Sequence, residues 1–236
     1  MQLRLHKYLA STGLASRRKC EQYIKEGLIK VNGKVVKEMG VKIDPDNDKV
    51  EVLPKAKSEK FAYYAFHKPV GYVCAVTGPE EPKITELIKV LPEKVFPIGR
   101  LDKMTSGLLI LTNDGRFAYS LTSPLFEKEK EYLVKVREKI TPAALGELSR
   151  TFFIKGHETR PAQVEKVGPH LLRITLKEGR NRQIRRMCDN AKLHIERLKR
   201  IRIGTIELRD LPVKGFRQLT NKEITEQRLN PLRHSF

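Results

Sequence analysis

Between Gly99 and Gly115 the chain reads GRLDKMTSGLLILTNDG, a polar run holding one carboxylate, Asp102, that passes straight into an apolar run. Leu108 to Thr112 has no polar alternation and is short, so it predicts a buried strand. Asn113-Asp114-Gly115 predicts the turn that ends the strand, with a helix of about two turns, Arg116 to Leu121, after it. Pro97 to Gly99 leads in. An acid is thus held at the rim of a core.

With 236 residues the chain can bury a large core as one domain or two. Its 47 Lys and Arg against 28 Asp and Glu leave a net charge of +19, which favours a polyanionic partner, nucleic acid first. A membrane surface is disfavoured because there is no 18-residue apolar span and no lone basic amphipathic helix at a terminus. The opening MQLRLHKYLAS lacks a secretory pattern, so a cytoplasmic location is expected. Cys20, Cys74 and Cys188 fit neither a disulfide framework nor a metal pair and are expected to be buried, inert thiols. Nothing in the chain has metal-ligand spacing, and no metal is expected.

In chain order, Leu5, Tyr8 and Leu9 share one face of a helix over residues 3 to 10, with Gly13 as its stop. Ser16 is the expected N-cap of a second helix, Arg17 to Glu26, ended by Gly27. Arg17, Arg18 and Lys19 then crowd the first turn against the helix dipole, so stability alone does not explain them; they read either as a solvated face or as a phosphate-contacting cluster. Asn32-Gly33 inside LIKVNGKVV signals a hairpin, and Lys49 to Leu53 a further strand. PKAKSEK, Pro54 to Lys60, is polar and aperiodic and reads as a linker. Beyond it, Phe61 to Phe66 is expected as a strand, His67-Lys68-Pro69 with Gly71 as a turn, and Tyr72 to Val76 as a strand. Gly78 to Lys83 is expected as a loop, with Thr85 capping a short helix. Glu131 to Val136 alternates as a strand, Thr141 to Ser149 is helical, and Pro161 to Val167 pairs with His170 to Leu176 across Gly168-Pro169. Ile184, Met187 and Cys188 take helical spacing, Ile195 to Leu208 alternates, and Thr220 with Glu223 makes a capping box.

Two stretches resemble known families. RLHKYLASTGLASRRKCEQYIKEGLIKVNGKVV is similar to the S-four-type RNA-binding module named after a ribosomal small-subunit protein. That resemblance implies that Ser16, Arg17, Arg18 and Lys19 face structured RNA, which suits recognition of A-form RNA by shape and phosphate. GRLDKMTSGLLILTNDG, followed by KEYLVKV and EGRNRQIRRM, is similar to the signature of the ribosomal-RNA pseudouridine synthases of the RsuA/RluB type.

By itself, Asp102 reads as a turn residue or an ion-pair partner rather than as a catalytic group. The resemblance implies that it is the essential aspartate, attacking the anomeric sugar carbon of a flipped uridine or removing a neighbouring sugar proton. It further implies that Tyr132 stacks on the base, Arg185 pairs with Asp102, Arg100 fills the space left by the base, and Ile184 walls the pocket. The bland alternatives are a core tyrosine, a solvated helix arginine and a phosphate contact. Arg180, Arg182 and Arg186 complete the basic cluster expected at the substrate.

The implied fold is α+β: a small RNA-binding module over 1–53, a linker over 54–60, and a catalytic domain over 61–236 with a mainly antiparallel mixed sheet. The implied partner is a stem-loop of ribosomal RNA, of the large subunit because RRKCEQYIKEG and NRQIRRM resemble the RluB-like branch. No cofactor, no obligate protein partner and a monomeric chain are expected. The rivals are a ribosome-associated RNA-binding protein that has lost the chemistry, and a glycoside-type hydrolase, for which no second carboxylate accompanies the motif.

Overall fold

The computed structural model describes residues 2–12, 14–54, 60–75, 79, 81–154 and 156–227. Expectations for Gly13, the linker residues 55–59, Val76, and Gly78 and Glu80 in the proline-rich loop lie outside the described residues.

The first 53 residues enclose a core of their own. Strand β1 (Leu3–Arg4) leads into helix α1 (Leu5–Ser11), which buries Leu5 and Leu9. Helix α2 (Arg17–Lys25) starts where Ser16 Oγ accepts the Lys19 N–H at 3.3 Å, the cap its sequence predicts. It buries Cys20, Tyr23 and Ile24 against α1 and against Ile29 and Ile43. Strands β2 (Ile29–Val31) and β3 (Lys34–Val35) form the expected hairpin. Asn32 at φ 50° and Gly33 at φ 77° supply the two left-handed positions of its tight turn. Strand β4 (Lys42–Ile43) pairs with β1, and β5 (Val50–Val52) with β2.

The remainder is built on one nine-stranded sheet. Its strands are β6 (Tyr63–Lys68), β7 (Phe96–Ile98), β8 (Ser106–Thr112), β9 (Lys130–Val136), β12 (Gln163–Gly168), β13 (Leu171–Leu176), β14 (Ile195–Ile203), β15 (Ile206–Glu207) and β16 (Phe216–Gln218); a separate small hairpin supplies β10 (Phe153–Ile154) and β11 (His157–Glu158). The order is β12-β13-β9-β14-β8-β6-β16, antiparallel throughout except for the β14–β8 pair, with β7 added to β8 and β15 to β14. This is the mixed, mainly antiparallel sheet expected. Helices α3 (Ile84–Ile88), α4 (Gly115–Thr122), α5 (Pro142–Leu148), α6 (Gln183–Asn190) and α7 (Asn221–Gln227) complete it.

Strand β8 explains why Leu108 to Leu111 is apolar without interruption. Leu109 and Leu111 enter a core covered by α5 and α6, while Leu108 and Ile110 enter a second core under α4. Each such fully buried side chain contributes about 1.5–3 kcal/mol of transfer free energy. Asp114 ends the strand and caps α4, its carboxylate accepting the N–H groups of Arg116 and Phe117.

Several expectations need correction. The helix expected over residues 3 to 10 runs from Leu5 to Ser11, because Leu3 and Arg4 pair as a strand with β4. His67 and Lys68 are strand, not turn, because β6 continues to Lys68, whose ammonium finds internal acceptors. Tyr72 to Ala75 forms no strand beyond a single bridge from Val73 to Lys83, since the proline-rich loop opposite gives no ladder. Thr85 does not cap α3; the Glu86 carboxylate does so by accepting the Lys83 N–H at 3.0 Å. Ile195 to Leu208 is a hairpin, not one strand, folding back at Gly204 to pair Ile203 with Ile206. The helix over Arg17 to Glu26 ends at Lys25, with Glu26 as its C-cap. Among the described residues no helix is long and apolar enough to cross a membrane.

Candidate active site

Asp102 lies on the loop that enters β8, and Lys68 holds that loop from beneath. The Lys68 side chain is fully buried, and its ammonium donates to the carbonyls of Pro69 at 2.9 Å, Asp102 at 3.2 Å and Thr105 at 2.9 Å. All three of its hydrogens are thereby used. Burial pushes its pKa down to about 8, against some support from the Asp102 charge. The loop is closed by the Thr105 N–H on Asp102 O at 3.0 Å and by the Gly71 N–H on Lys103 O at 2.8 Å. Sequence reasoning missed Lys68. Its signal was a lone cation at the end of YYAFHK, where every nearer neighbour in phase is apolar.

Arg185 reaches the loop from α6. Its Nε stands 3.6 Å from Asp102 Oδ2, an ion pair too long for a hydrogen bond, while Nη2 donates to Met104 O at 2.8 Å and Thr105 Oγ1 at 3.2 Å. The Arg185 side chain is 15% exposed and that of Asp102 38%. One guanidinium therefore fixes the loop and neutralises the carboxylate it carries. Helix α6 takes its position because Ile184, Met187 and Cys188 are buried in the core, which leaves Arg185 turned toward the cleft. The preceding loop is braced by Gln183, which donates to Glu178 at 3.0 Å and accepts the Arg180 N–H at 3.1 Å.

Tyr132, nine-tenths buried on β9, stands directly opposite Arg200 of β14. Gly107 brings β14 to β8: a Cβ there would lie 2.2 Å from Arg200 O, and its φ of +107° is open to glycine alone. The parallel contact at the sheet centre thus depends on one missing side chain.

These elements enclose a cleft of about 520 Å³ across the middle of the sheet. Asp102, Tyr132, Arg185, Ile184, Arg100, Arg180 and Arg182 all line it; Arg186 is exposed and does not. Lys130 and Arg200 line it as well and were not anticipated, although period-two alternation already put Lys130 in phase with Tyr132 and Arg200 in phase with Leu198. Away from the cleft, Arg17 and Arg18 are exposed at the start of α2 and form no ion pair among the described residues. Lys19 lies 5.1 Å from the centre of the Tyr23 ring. The three cysteines are buried as expected, and burial pushes the Cys188 thiol up to about 12.

The sequence and fold that carry this cleft match known proteins. Residues 62–190 match the family model described as RNA pseudouridylate synthase, and residues 3–49 match the S4 domain. The ribosomal large subunit pseudouridine synthase B of Bacillus subtilis (strain 168) is 40% identical over 233 residues, 95% of each chain. The dual-specificity RNA pseudouridine synthase RluF of Escherichia coli (strain K12) is 36% identical, covering 95% of this chain and 78% of that one. A crystal structure of a pseudouridylate synthase superposes with a TM-score of 0.70 at 29% identity, covering 95% of this chain and 99% of that one. The chain therefore belongs to the RNA pseudouridine synthase family, with an S4 domain at its N-terminal end.

Proposed function

We propose that the protein isomerises a uridine of ribosomal RNA, in the large subunit, to pseudouridine, with Asp102 as the catalytic carboxylate. The observation that carries this reading is the Asp102–Arg185 pair at 3.6 Å, set in the same cleft as Tyr132. Asp102 acts on the sugar of the target nucleotide, as nucleophile on C1′ or as base on a neighbouring sugar proton. Arg185 orients it and balances its charge across the ion pair. Tyr132 stacks on the base and Ile184 walls it, while exposed Arg100 takes the space the base leaves in the helix, and Arg180 and Arg182 meet phosphates. The large-subunit assignment draws support from the name of the Bacillus subtilis relative, and the RNA substrate from the overall +19 charge.

A cleft carboxylate cannot reach C1′ inside a stacked helix, so the nucleotide must be flipped out, at about a few kcal/mol of unstacking that the stacking on Tyr132 offsets. The unit over 1–53 docks the stem-loop, residues 54–60 join it to the catalytic unit over 61–236, and the protein acts in the cytoplasm as a monomer. Isomerisation changes no oxidation state, and the reading includes no cofactor.

The experiment is release of tritium from ribosomal RNA labelled at uracil C5. Asp102→Asn is expected to abolish release while leaving RNA affinity within a few-fold of the parent. Equal release by parent and variant removes Asp102 from its role, and RNA binding without release by the parent favours a binding protein. Mapping pseudouridine with and without the protein identifies the uridine.

A further inference from the structure

Two cations that line the cleft have no counter-ion among the described residues. Arg200 is 3% exposed, uses Nε to donate to Leu108 O at 2.8 Å, and keeps a buried Nη2 without a hydrogen-bond partner. Lys130 has one internal acceptor, Lys128 O at 2.8 Å, and both residues line the cleft. Among the described residues no carboxylate pairs with either. The contrast with Arg202, two residues further along β14, is sharp: it is held by Glu131 at 2.8 Å and Glu129 at 3.1 Å. Burial, then the charge of Arg200, pushes Lys130 down to about 8. Two like charges withdrawn from water without an acid are costly unless a ligand supplies the missing negative charge.

Depth in the cleft indicates which part of the substrate that is. Arg100 and Arg182 are exposed and suited to phosphates that stay in solvent. Arg200 is in register with Tyr132 at the floor, where an aromatic and an apolar wall receive the base.

We infer that Arg200 and Lys130 form an anion-stabilising site that takes a carbonyl oxygen of the uracil and holds the charge of the detached base. The inference rests on the activity proposed above. In that reaction the C1′–N1 bond breaks with its electron pair on N1, delocalised onto O2 and O4. The base remains an anion until C5 bonds to C1′; the C5 proton then passes to water and N1 takes a proton from water, which leaves neutral pseudouridine. Asp102 meanwhile forms and releases a bond to C1′, or takes and returns a sugar proton, so no electrons are gained or lost. Donors aimed at charge that develops in the transition state act on the chemical step rather than on binding.

The test compares Lys130→Met, Lys130→Arg, Arg200→Met and Arg200→Lys in single-turnover tritium release from C5-labelled ribosomal RNA, with RNA affinity measured over a range of salt. Each Met variant is expected to lose about 100-fold in the rate constant, the scale found when one such donor is removed. RNA affinity and its salt slope stay at parent values, and the conservative variants recover most of the rate. A parent-like rate in Lys130→Met, melting like the parent, overturns the site. A loss confined to affinity, with the salt slope reduced by about one, makes these residues phosphate contacts and also overturns it. If Arg200→Met does not fold, the Lys130 pair decides alone. A parent that releases no tritium overturns the activity and the site together, whereas an active parent with unaffected variants overturns the site only.

Discussion

Lys68 ties the Asp102 loop to the sheet through three hydrogen bonds. Replacing it with Met leaves the carbonyls of Pro69, Asp102 and Thr105 without their donor in a buried place. Lys68→Met is expected to cost about 2–5 kcal/mol of stability, measured by urea unfolding. It should also lower the rate of tritium release at saturating RNA, because the Asp102 loop loses its anchor. The pH dependence has a defined sign. Burial lowers the Lys68 pKa from 10.5 to about 8, so between these values the unfolded chain binds more protons than the folded one. Stability of the parent relative to Lys68→Met therefore rises as pH increases through that window. Urea midpoints at pH values on either side of it check this, and a difference that falls with pH contradicts it.

At the scale of elements, local patterns carried far. The Ser16 cap, the Asn32-Gly33 hairpin, the alternation of β9 and the Thr220–Glu223 capping box are contacts within a few residues, and all form as read. What was not legible lies between elements. Nothing near Gly107 in sequence announces that β14 will run parallel against β8, and nothing near Lys68 announces carbonyls 34 and 37 residues away. Arg186 was grouped with its neighbours by charge, yet its place on α6 turns it outward, a distinction that depends on which helix face packs. Gly107 and Gly33 separate backbone strain from steric contact. Both have positive φ, but a Cβ at Gly33 meets nothing within 4 Å, whereas at Gly107 it meets the Arg200 carbonyl at 2.2 Å. Gly33→Ala is expected to cost about 1 kcal/mol. Gly107→Ala should cost more than about 3 kcal/mol and remove activity, since it drives apart the strands that set Arg200 against Tyr132. Similar melting temperatures for the two variants would contradict the assigned strand approach.

For the molecule as a whole, the +19 charge has to be divided between recognition and chemistry. In the catalytic unit many cations have internal partners: Arg202 holds Glu129 and Glu131, Arg217 holds Glu223, and Arg185 holds Asp102. At the start of α2 the pattern is reversed. Arg17 and Arg18 are exposed, unpaired among the described residues, and placed against the positive end of the helix, where they lower its stability. An external polyanion would compensate such a placement. The double variant Arg17→Gln/Arg18→Gln should therefore melt no lower than the parent, bind ribosomal RNA more weakly, and show a salt slope reduced by about two, one for each phosphate no longer neutralised. The single-turnover rate at saturating RNA should stay at the parent value, because these residues lie outside the cleft that holds Asp102. Unchanged affinity at low salt would mean that the basic turn faces solvent in the complex and that docking falls to the catalytic unit alone.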